Sequence, residues 1–391
     1  MSLDAGYDLL LPGRIAFGWG RRGQLGALAR PLGRRALLVV GSRHLTQAGA
    51  IGELSASLSA AGIESAPVAM IDHEPTIDDV DRTAQRIRTL GLAEGDFVLA
   101  IGGGSALDLG KATAAMATNE GSVRDYLEGI GTGRQLVRPA LPLLAIPTTA
   151  GTGSEATRNA VISCPDPPAK KSLRSDELMP RLVIVDPELT ASLPRAVTVH
   201  SGMDAITQLI ESFVSRRARP VPRALAVDGL RRALPAIVEA ADNPQSRPAR
   251  EAMAHAALLS GIALANSGLG LAHAVAAALG IHCGTPHGLA CAVMLPIALH
   301  ANRAACERSL AELARAVVPA PPTSDAAAAD TFVEHITALS RRLGIPSRLG
   351  EVGVTRAQLD ALVAGSRGNS MDGNPRTVDD DELRTILEQN L

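Results

Sequence analysis

A chain of 391 residues exceeds the roughly 250–300 residues at which a single hydrophobic core stops growing, so two domains are expected. Hydrophobic residues make up 46% but aromatics only 2%, which excludes base stacking as a principal function and leaves packing to aliphatic contacts and close helix approach. Basic and acidic side chains nearly cancel, 38 against 40, with no long run of one sign, and this argues against nucleic-acid or anionic-membrane partners.

The first residues, MSLDAGYDLLLPGRIAFGWG, lack a charged segment followed by a sustained apolar run, and no window approaches about 18 apolar residues free of charge or Gly/Pro breaks. Cys164, Cys283, Cys291 and Cys306 show no CxxC spacing, so reduced thiols in a cytoplasm are expected.

From residue 34 to about 185, short aliphatic runs alternate with helical patterns. RRALLVVG (34–41) ends at a glycine, GDFVLAIGGG (95–104) at three, and LPLLAIPTT (141–149) in prolines and threonines. Such runs suit strands buried on both faces of a parallel sheet. Between them, IGELSASLSAAG (51–62) and TIDDVDRTAQRIRTLG (76–91) carry apolar residues at helical spacing and close with glycine. The rotation predicts a doubly wound α/β domain. After RLVIVDPELTASLP (181–194) the chain is Ala- and Leu-rich and helix-patterned, with no convincing strand. A helical second domain therefore begins near Pro194, giving domains 1–193 and 194–391. The Pro-rich piece VVPAPPTSDAAAAD (317–330) reads as an exposed loop between helices.

Two loops at strand ends carry candidate binding chemistry. IGGGSALDLGK (101–111) follows a strand pattern and opens a helix; glycines let backbone N–H groups approach an anion, and the helix N-terminus adds its positive dipole end. The same stretch alone also suits a turn needed only for chain reversal. IPTTAGTGSEAT (146–157) again follows a strand and concentrates hydroxyls and glycines, which suits ribose, phosphate or nicotinamide contacts, or simply a capped helix start. Two such loops at consecutive strand ends favour a nucleotide.

In GMDAITQLIESF (202–213), Asp204, Gln208 and Glu211 share one helix face, because residues three and four apart meet. Downstream, NSGLGLAHAVAAALGIHCGTPHGLACAVMLP (266–296) holds His273, His282 and His287. Asp204 with His273 and His287 makes one carboxylate and two imidazoles, a set suited to a divalent first-row metal. Glu211 reads as a supporting or solvated residue, and His282 as a weaker proton-relay candidate.

At this point the chain resembles the iron-containing, or group III, alcohol dehydrogenases of the dehydroquinate synthase-like superfamily. GGGSALDLGK, PTTAGTGSE, RLVIVDPELT, GMDAITQLIE, GLAHAVAAALG and TPHG match the family's signatures in order, and GNPRTVDDDELRTIL (373–387) resembles its C-terminal pattern. The resemblance implies an α/β N-terminal dinucleotide-binding (Rossmann-like) domain, an all-α C-terminal domain that binds metal and substrate, and a homodimer. Carried over by motif, it implies that Gly103, Gly104, Ser105 and Asp108 hold the pyrophosphate, that Thr148, Thr149 and Thr152 line the adenine and ribose side, and that Lys170 lies near the cofactor. It further implies that Asp204, His273 and His287 fill three of four metal-ligand positions and act in catalysis. The fourth, usually histidine, is Gln208 here, whose neutral amide oxygen binds iron or zinc more weakly than imidazole; the rival arrangement is a hydrogen-bonded Asp204–Gln208 pair. Where many relatives carry a second histidine near the nicotinamide, this chain has Ala277.

After the strand ALLVVG, Gly41, Ser42 and Arg43 offer no carboxylate to repel a 2′-phosphate, which favours NADP(H) without excluding NAD(H). The expected function is metal-dependent, NAD(P)-linked hydride transfer between nicotinamide and a small alcohol, aldehyde or ketone, with Fe2+ or Zn2+ as Lewis acid. The alternative is a catalytically altered, metal-free nucleotide-binding relative or a lyase of the same superfamily.

Overall fold

The computed structural model describes residues 6–41, 49–166 and 168–391. Leu11–Ser192 forms one compact unit, and Leu193–Leu391, joined by the described residues of Met1–Leu10, forms another. The start of the chain therefore departs from the expected boundary. Its tie is specific: the Leu10 N–H donates to Asn266 Oδ1 at 2.7 Å, and Asn266 Nδ2 returns a bond to the Leu10 carbonyl at 2.9 Å.

The first unit is built on a parallel sheet of β1 (Ile15–Phe17), β2 (Arg35–Gly41), β3 (Glu64–Ile71), β4 (Asp96–Gly102), β5 (Leu143–Pro147) and β8 (Leu182–Val185) in the spatial order β1-β8-β5-β4-β2-β3. A hairpin of β6 (Asn159–Pro165) and β7 (Pro168–Arg174) forms a separate antiparallel pair. The central strands are the predicted aliphatic runs, since β4 is buried along its whole length. Side chains alternate across the sheet. Leu37, Val39, Val98 and Ala100 join one core cluster, while Leu38, Val40, Leu99 and Ile101 join another. The helices α1 (Leu25–Ala29), α2 (Ala50–Ala60), α3 (Ile77–Thr89) and α4 (Gly104–Met116) alternate with these strands, as a doubly wound unit requires.

The second unit is helical: α5 (Arg195–Val214), α6 (Pro220–Asp242), α7 (Arg247–Ala265), α8 (Leu271–His282), α9 (His287–Asn302), α10 (Glu307–Val317), α11 (Asp325–Leu343), α12 (Leu359–Gly365), α13 (Asn369–Gly373) and α14 (Asp380–Gln389). None of the described helices is long and apolar enough to cross a membrane. The expected loop at 317–330 is shorter than its composition implies, because Ser324 caps α11 by accepting from the Ala327 N–H and the alanine run becomes its first turns.

Scarcity of aromatics is answered by close backbone approach. A Cβ added to Gly229 on α6 would lie 2.7 Å from Leu209 Cδ2, and one on Gly288 of α9 would lie 2.6 Å from the His200 carbonyl oxygen. Helices α6 and α9 can therefore sit against α5 only through these glycines.

Asn374 joins the tail to this bundle. Fully buried, it accepts from the Leu271 N–H at 3.1 Å and exchanges hydrogen bonds with Asn302 at 2.8 and 3.0 Å. Asn374→Ala leaves these partners buried without bonds, at about 1–3 kcal/mol each. The urea-unfolding midpoint should fall by the equivalent of about 3 kcal/mol, whereas Asn390→Ala, on the last turn of α14, should shift it by less than about 0.5 kcal/mol.

Candidate metal centre and nucleotide loops

In the α/β unit, β4 runs into a turn that only glycine fits. Gly102 has φ +152°, and a side chain there would fall 2.7 Å from the Ala106 Cβ. Gly103 is the extended cap of α4 and carries no side chain that could occupy the first-turn N–H groups, and that turn holds no acidic residue. The first-turn N–H groups around Gly104 and Ser105 thus have no side-chain cap, the arrangement in which a helix start is able to hold an anion.

The second predicted loop packs directly on the first. Thr148 donates its N–H to the Gly102 carbonyl at 2.9 Å. A Cβ on Gly103 would lie 3.3 Å from Thr149 Cγ2, and one on Gly104 would lie 2.7 Å from Thr152 Cγ2. Gly103, Gly104, Thr148, Thr149 and Thr152 therefore lie together at the ends of β4 and β5.

Asp108 stands differently. One carboxylate oxygen accepts from Ser154 Oγ and the other from the Val161 N–H at 3.0 Å, so it braces the second loop, and a negative charge is a poor partner for pyrophosphate in any case. Lys170 ion-pairs with Glu74 at 2.6 Å on the β6–β7 hairpin, which engages the ammonium expected near the cofactor. Ser42 and Arg43 lie outside the described residues.

Sequence reasoning passed over Lys111 and Glu155. Wholly buried, Lys111 Nζ donates to Ser154 Oγ at 2.7 Å, Thr157 Oγ1 at 2.8 Å and the Asn159 carbonyl at 2.8 Å. It clamps the loop that Asp108 braces. Burial lowers its pKa and raises that of Glu155 to about 7. The available signal was a lysine in the middle of an otherwise largely apolar helix pattern, which must find acceptors if buried.

In the helical unit, α5 presents Asp204, Gln208 and Glu211, all buried. The cap of α8 is Gly270, which has no side chain to offer, so the orphan N–H of Ala272 is taken by Glu211 Oε1 at 2.7 Å. Glu211 Oε2 then accepts from His273 Nδ1 at 2.6 Å, which leaves Nε2 turned to Asp204 Oδ1 at 3.1 Å. Pro286 sets the start of α9, whose first residue, His287, brings Nε2 within 3.9 Å of the same oxygen. One turn further, Cys291 Sγ lies 3.6 Å from His287 Nε2. Asp204, His273, His287 and Cys291 each offer one ligand atom, all within 4.8 Å of one another.

Gln208 reaches Asp204 Oδ1 with its amide nitrogen at 3.1 Å, and its oxygen sits 2.7 Å from Ser260 Oγ. That is the hydrogen-bonded arrangement. Rotating the carboxamide by half a turn keeps the Ser260 contact, because Ser260 then accepts from the amide and donates to the Ala257 carbonyl at 2.8 Å. It gives up the Asp204 hydrogen bond, however, and sets amide oxygen against carboxylate oxygen, a contact that only a cation shared by the two would stabilise. Cys291 was missed although His287 and Cys291 stand at the i,i+4 spacing of a helix face. His282 lies outside the cluster.

The electrostatics favour a cation. Burial alone would raise Asp204, but the His273 hydrogen bond and the neighbouring imidazoles hold it below the usual carboxylate range. Burial would lower His273, yet Cys291, Asp204 and Glu211 raise it well above an ordinary imidazole, and Cys291 above all lifts His287 to about 9. The pocket gathers positive charge, and the donor set of carboxylate, imidazoles and thiol fits a divalent first-row ion that displaces those protons.

Comparison with known proteins identifies the family. The sequence model for iron-containing alcohol dehydrogenase matches residues 12–187, and that for the C-terminal part of the Fe-containing alcohol dehydrogenase family matches 198–391. The chain is 34% identical to a 1,3-propanediol dehydrogenase of Klebsiella pneumoniae over 391 residues, covering 98% of each. It is 32% identical to Long-chain-alcohol dehydrogenase 1 of Geobacillus thermodenitrificans, covering 97% of this chain and 95% of that one. A solved structure of a 1,3-propanediol oxidoreductase superposes with TM-score 0.91 at 32% identity, over 99% of this chain and 100% of that chain.

Glu155, raised from 4.5 to about 7, keeps its proton in the folded state where the unfolded chain has lost it. Its stabilising contribution is fully present below about pH 4.5 and lost as pH rises through about 7, on the order of 3 kcal/mol. Glu155→Gln should flatten the fall in urea midpoint between about pH 5 and about pH 8. Identical slopes in both proteins would assign that fall to other groups.

Proposed function

The chain belongs to the iron-containing alcohol dehydrogenase family and is an NAD(P)-linked oxidoreductase acting on CH–OH groups, and from that premise we propose how its residues divide the work. The backbone of Gly103, Gly104 and Ser105 holds the cofactor pyrophosphate, while Thr148, Thr149 and Thr152 line its sugar side. Asp108 and Lys111 act behind them, keeping the threonine loop in place. The absence of a carboxylate at Gly41, Ser42 and Arg43 supports NADP(H) over NAD(H).

Asp204, His273 and His287 hold a divalent ion, Fe2+ or Zn2+. When bound, the nicotinamide supplies or accepts hydride and the ion polarises the oxygen of a small alcohol, aldehyde or ketone. The protein's own part is orientation. Glu211 fixes the His273 tautomer, so that a bare Nε2 faces the ion, and Gln208 holds Asp204 in register. Ala277 can carry no proton, so the proton exchanged with the substrate hydroxyl passes through water. Cys164, Cys283, Cys291 and Cys306 are all free thiols, which suits a reducing cytoplasm, and a homodimer is the assembly the family resemblance supports.

The observation that carries this reading is the convergence of Asp204, His273 and His287 on one spot, with His287 at its partly exposed side, in a chain that matches the family in both halves. Its test is Asp204→Ala, assayed by reduced-nicotinamide absorbance with a panel of aldehydes, by metal content and by dinucleotide binding. Turnover should fall at least about a thousandfold, since a Lewis-acid ion contributes several kcal/mol at about 1.4 kcal/mol per tenfold. Metal content should fall with it while dinucleotide affinity stays nearly unchanged. Loss of dinucleotide binding in step with turnover would refute this division of labour. A separate expectation concerns Glu211→Gln: by freeing the His273 tautomer it should weaken metal binding about 10–100-fold, measured by competition with a chromogenic chelator.

A further inference from the structure

We propose that Cys291 is a thiolate ligand of the metal centre and makes it prefer zinc to harder divalent ions. The proposal rests on the reading that Asp204, His273 and His287 hold a divalent ion.

Cys291 is fully buried on α9, one turn beyond His287. Zinc bonds of about 2.0–2.3 Å place neighbouring ligand atoms of a tetrahedron about 3.3–3.8 Å apart. The separations found here bracket that range: 3.1 Å from His273 Nε2 to Asp204 Oδ1, 3.9 Å from His287 Nε2 to the same oxygen, and 3.6 Å from Cys291 Sγ to His287 Nε2. All six separations stay within 4.8 Å, so the four donors are close enough for side-chain adjustment to bring them onto one ion.

Charge points the same way. Two neutral imidazoles with a carboxylate and a thiolate balance a divalent cation among its own ligands, leaving the Glu211 carboxylate behind His273 to serve the start of α8. On binding, the thiol proton leaves to solvent as the sulfur–metal bond forms, and nothing is oxidised or reduced. A thiolate moves the set toward softer ions, and zinc accepts the mixed N, O and S donors that magnesium or manganese do not. Zinc also tolerates a fifth ligand, so a substrate oxygen would not have to displace the thiolate. The other cysteines lie outside the cluster, so Cys291 is the one thiol that can report on it.

The test uses the full-length protein stripped of metal and reloaded with Co2+ alone. A thiolate-to-cobalt charge-transfer band in the near ultraviolet is expected at one cobalt per chain. In Cys291→Ser the band should vanish while cobalt remains bound. Zinc affinity of that variant should drop by more than the about 10–100-fold typical of an outer hydrogen-bond partner, and its ratio of bound zinc to bound iron under anaerobic competition should fall. Stoichiometric cobalt without the band, or a band that survives in Cys291→Ser, overturns the role of Cys291 and leaves the metal reading standing. Failure of the parent to retain either cobalt or zinc overturns both. Should Cys291→Ser not fold, the parent spectrum decides, with Cys291→Ala as the second variant.

Discussion

The carboxylate of Glu211 is the constraint on which the centre depends. A helix that begins at a glycine has no side chain with which to cap itself, and the start of α8 is buried, so water cannot take its first N–H groups. Glu211 reaches across from α5 to accept from the Ala272 N–H, and the same carboxylate accepts from His273 Nδ1. One anion therefore joins two helices, compensates a helix dipole and fixes an imidazole tautomer. The polar face of α5 exists because a buried helix end and a buried ring both need that oxygen pair. Asp204, seven residues and so about two turns earlier on the same face of α5, faces the space this arrangement opens.

Much of this was legible in the sequence where physics acts locally. β2, β4 and β5 announced themselves as aliphatic runs because both of their faces are covered, and the glycine-rich and threonine-rich loops followed from the strand ends. β3 was missed because it is an edge strand: half-exposed, carrying Pro67, and shifted in register against β2 between Leu38 and Val39. An edge tolerates proline and loses the continuous apolar signature. The β6–β7 hairpin, with its Lys170 and Lys171, was unreadable for a similar reason, since it borrows its stability from α4 and the loop beneath it.

The site divided along the same line. Asp204, His273 and His287 could be singled out by residue type and helical spacing. The roles of Asp108, Lys111 and Cys291 could not, since each depends on which oxygen, nitrogen or sulfur lies nearest in three dimensions. A carboxylate beside a glycine loop looks like a ligand contact until its acceptors are seen to be filled by Ser154 and Val161. A cysteine in an apolar helix looks like a small hydrophobe until a histidine and an aspartate are found around it.

The reciprocal bonds between Leu10 and Asn266 have a consequence for biosynthesis. Synthesis makes Leu10 some 250 residues before its partner, while the α/β unit between them is contiguous and complete long before that partner appears. Vectorial synthesis therefore lets the sheet mature on its own and leaves Leu10 without its hydrogen-bond partner until the third long helix of the bundle has cleared the exit tunnel.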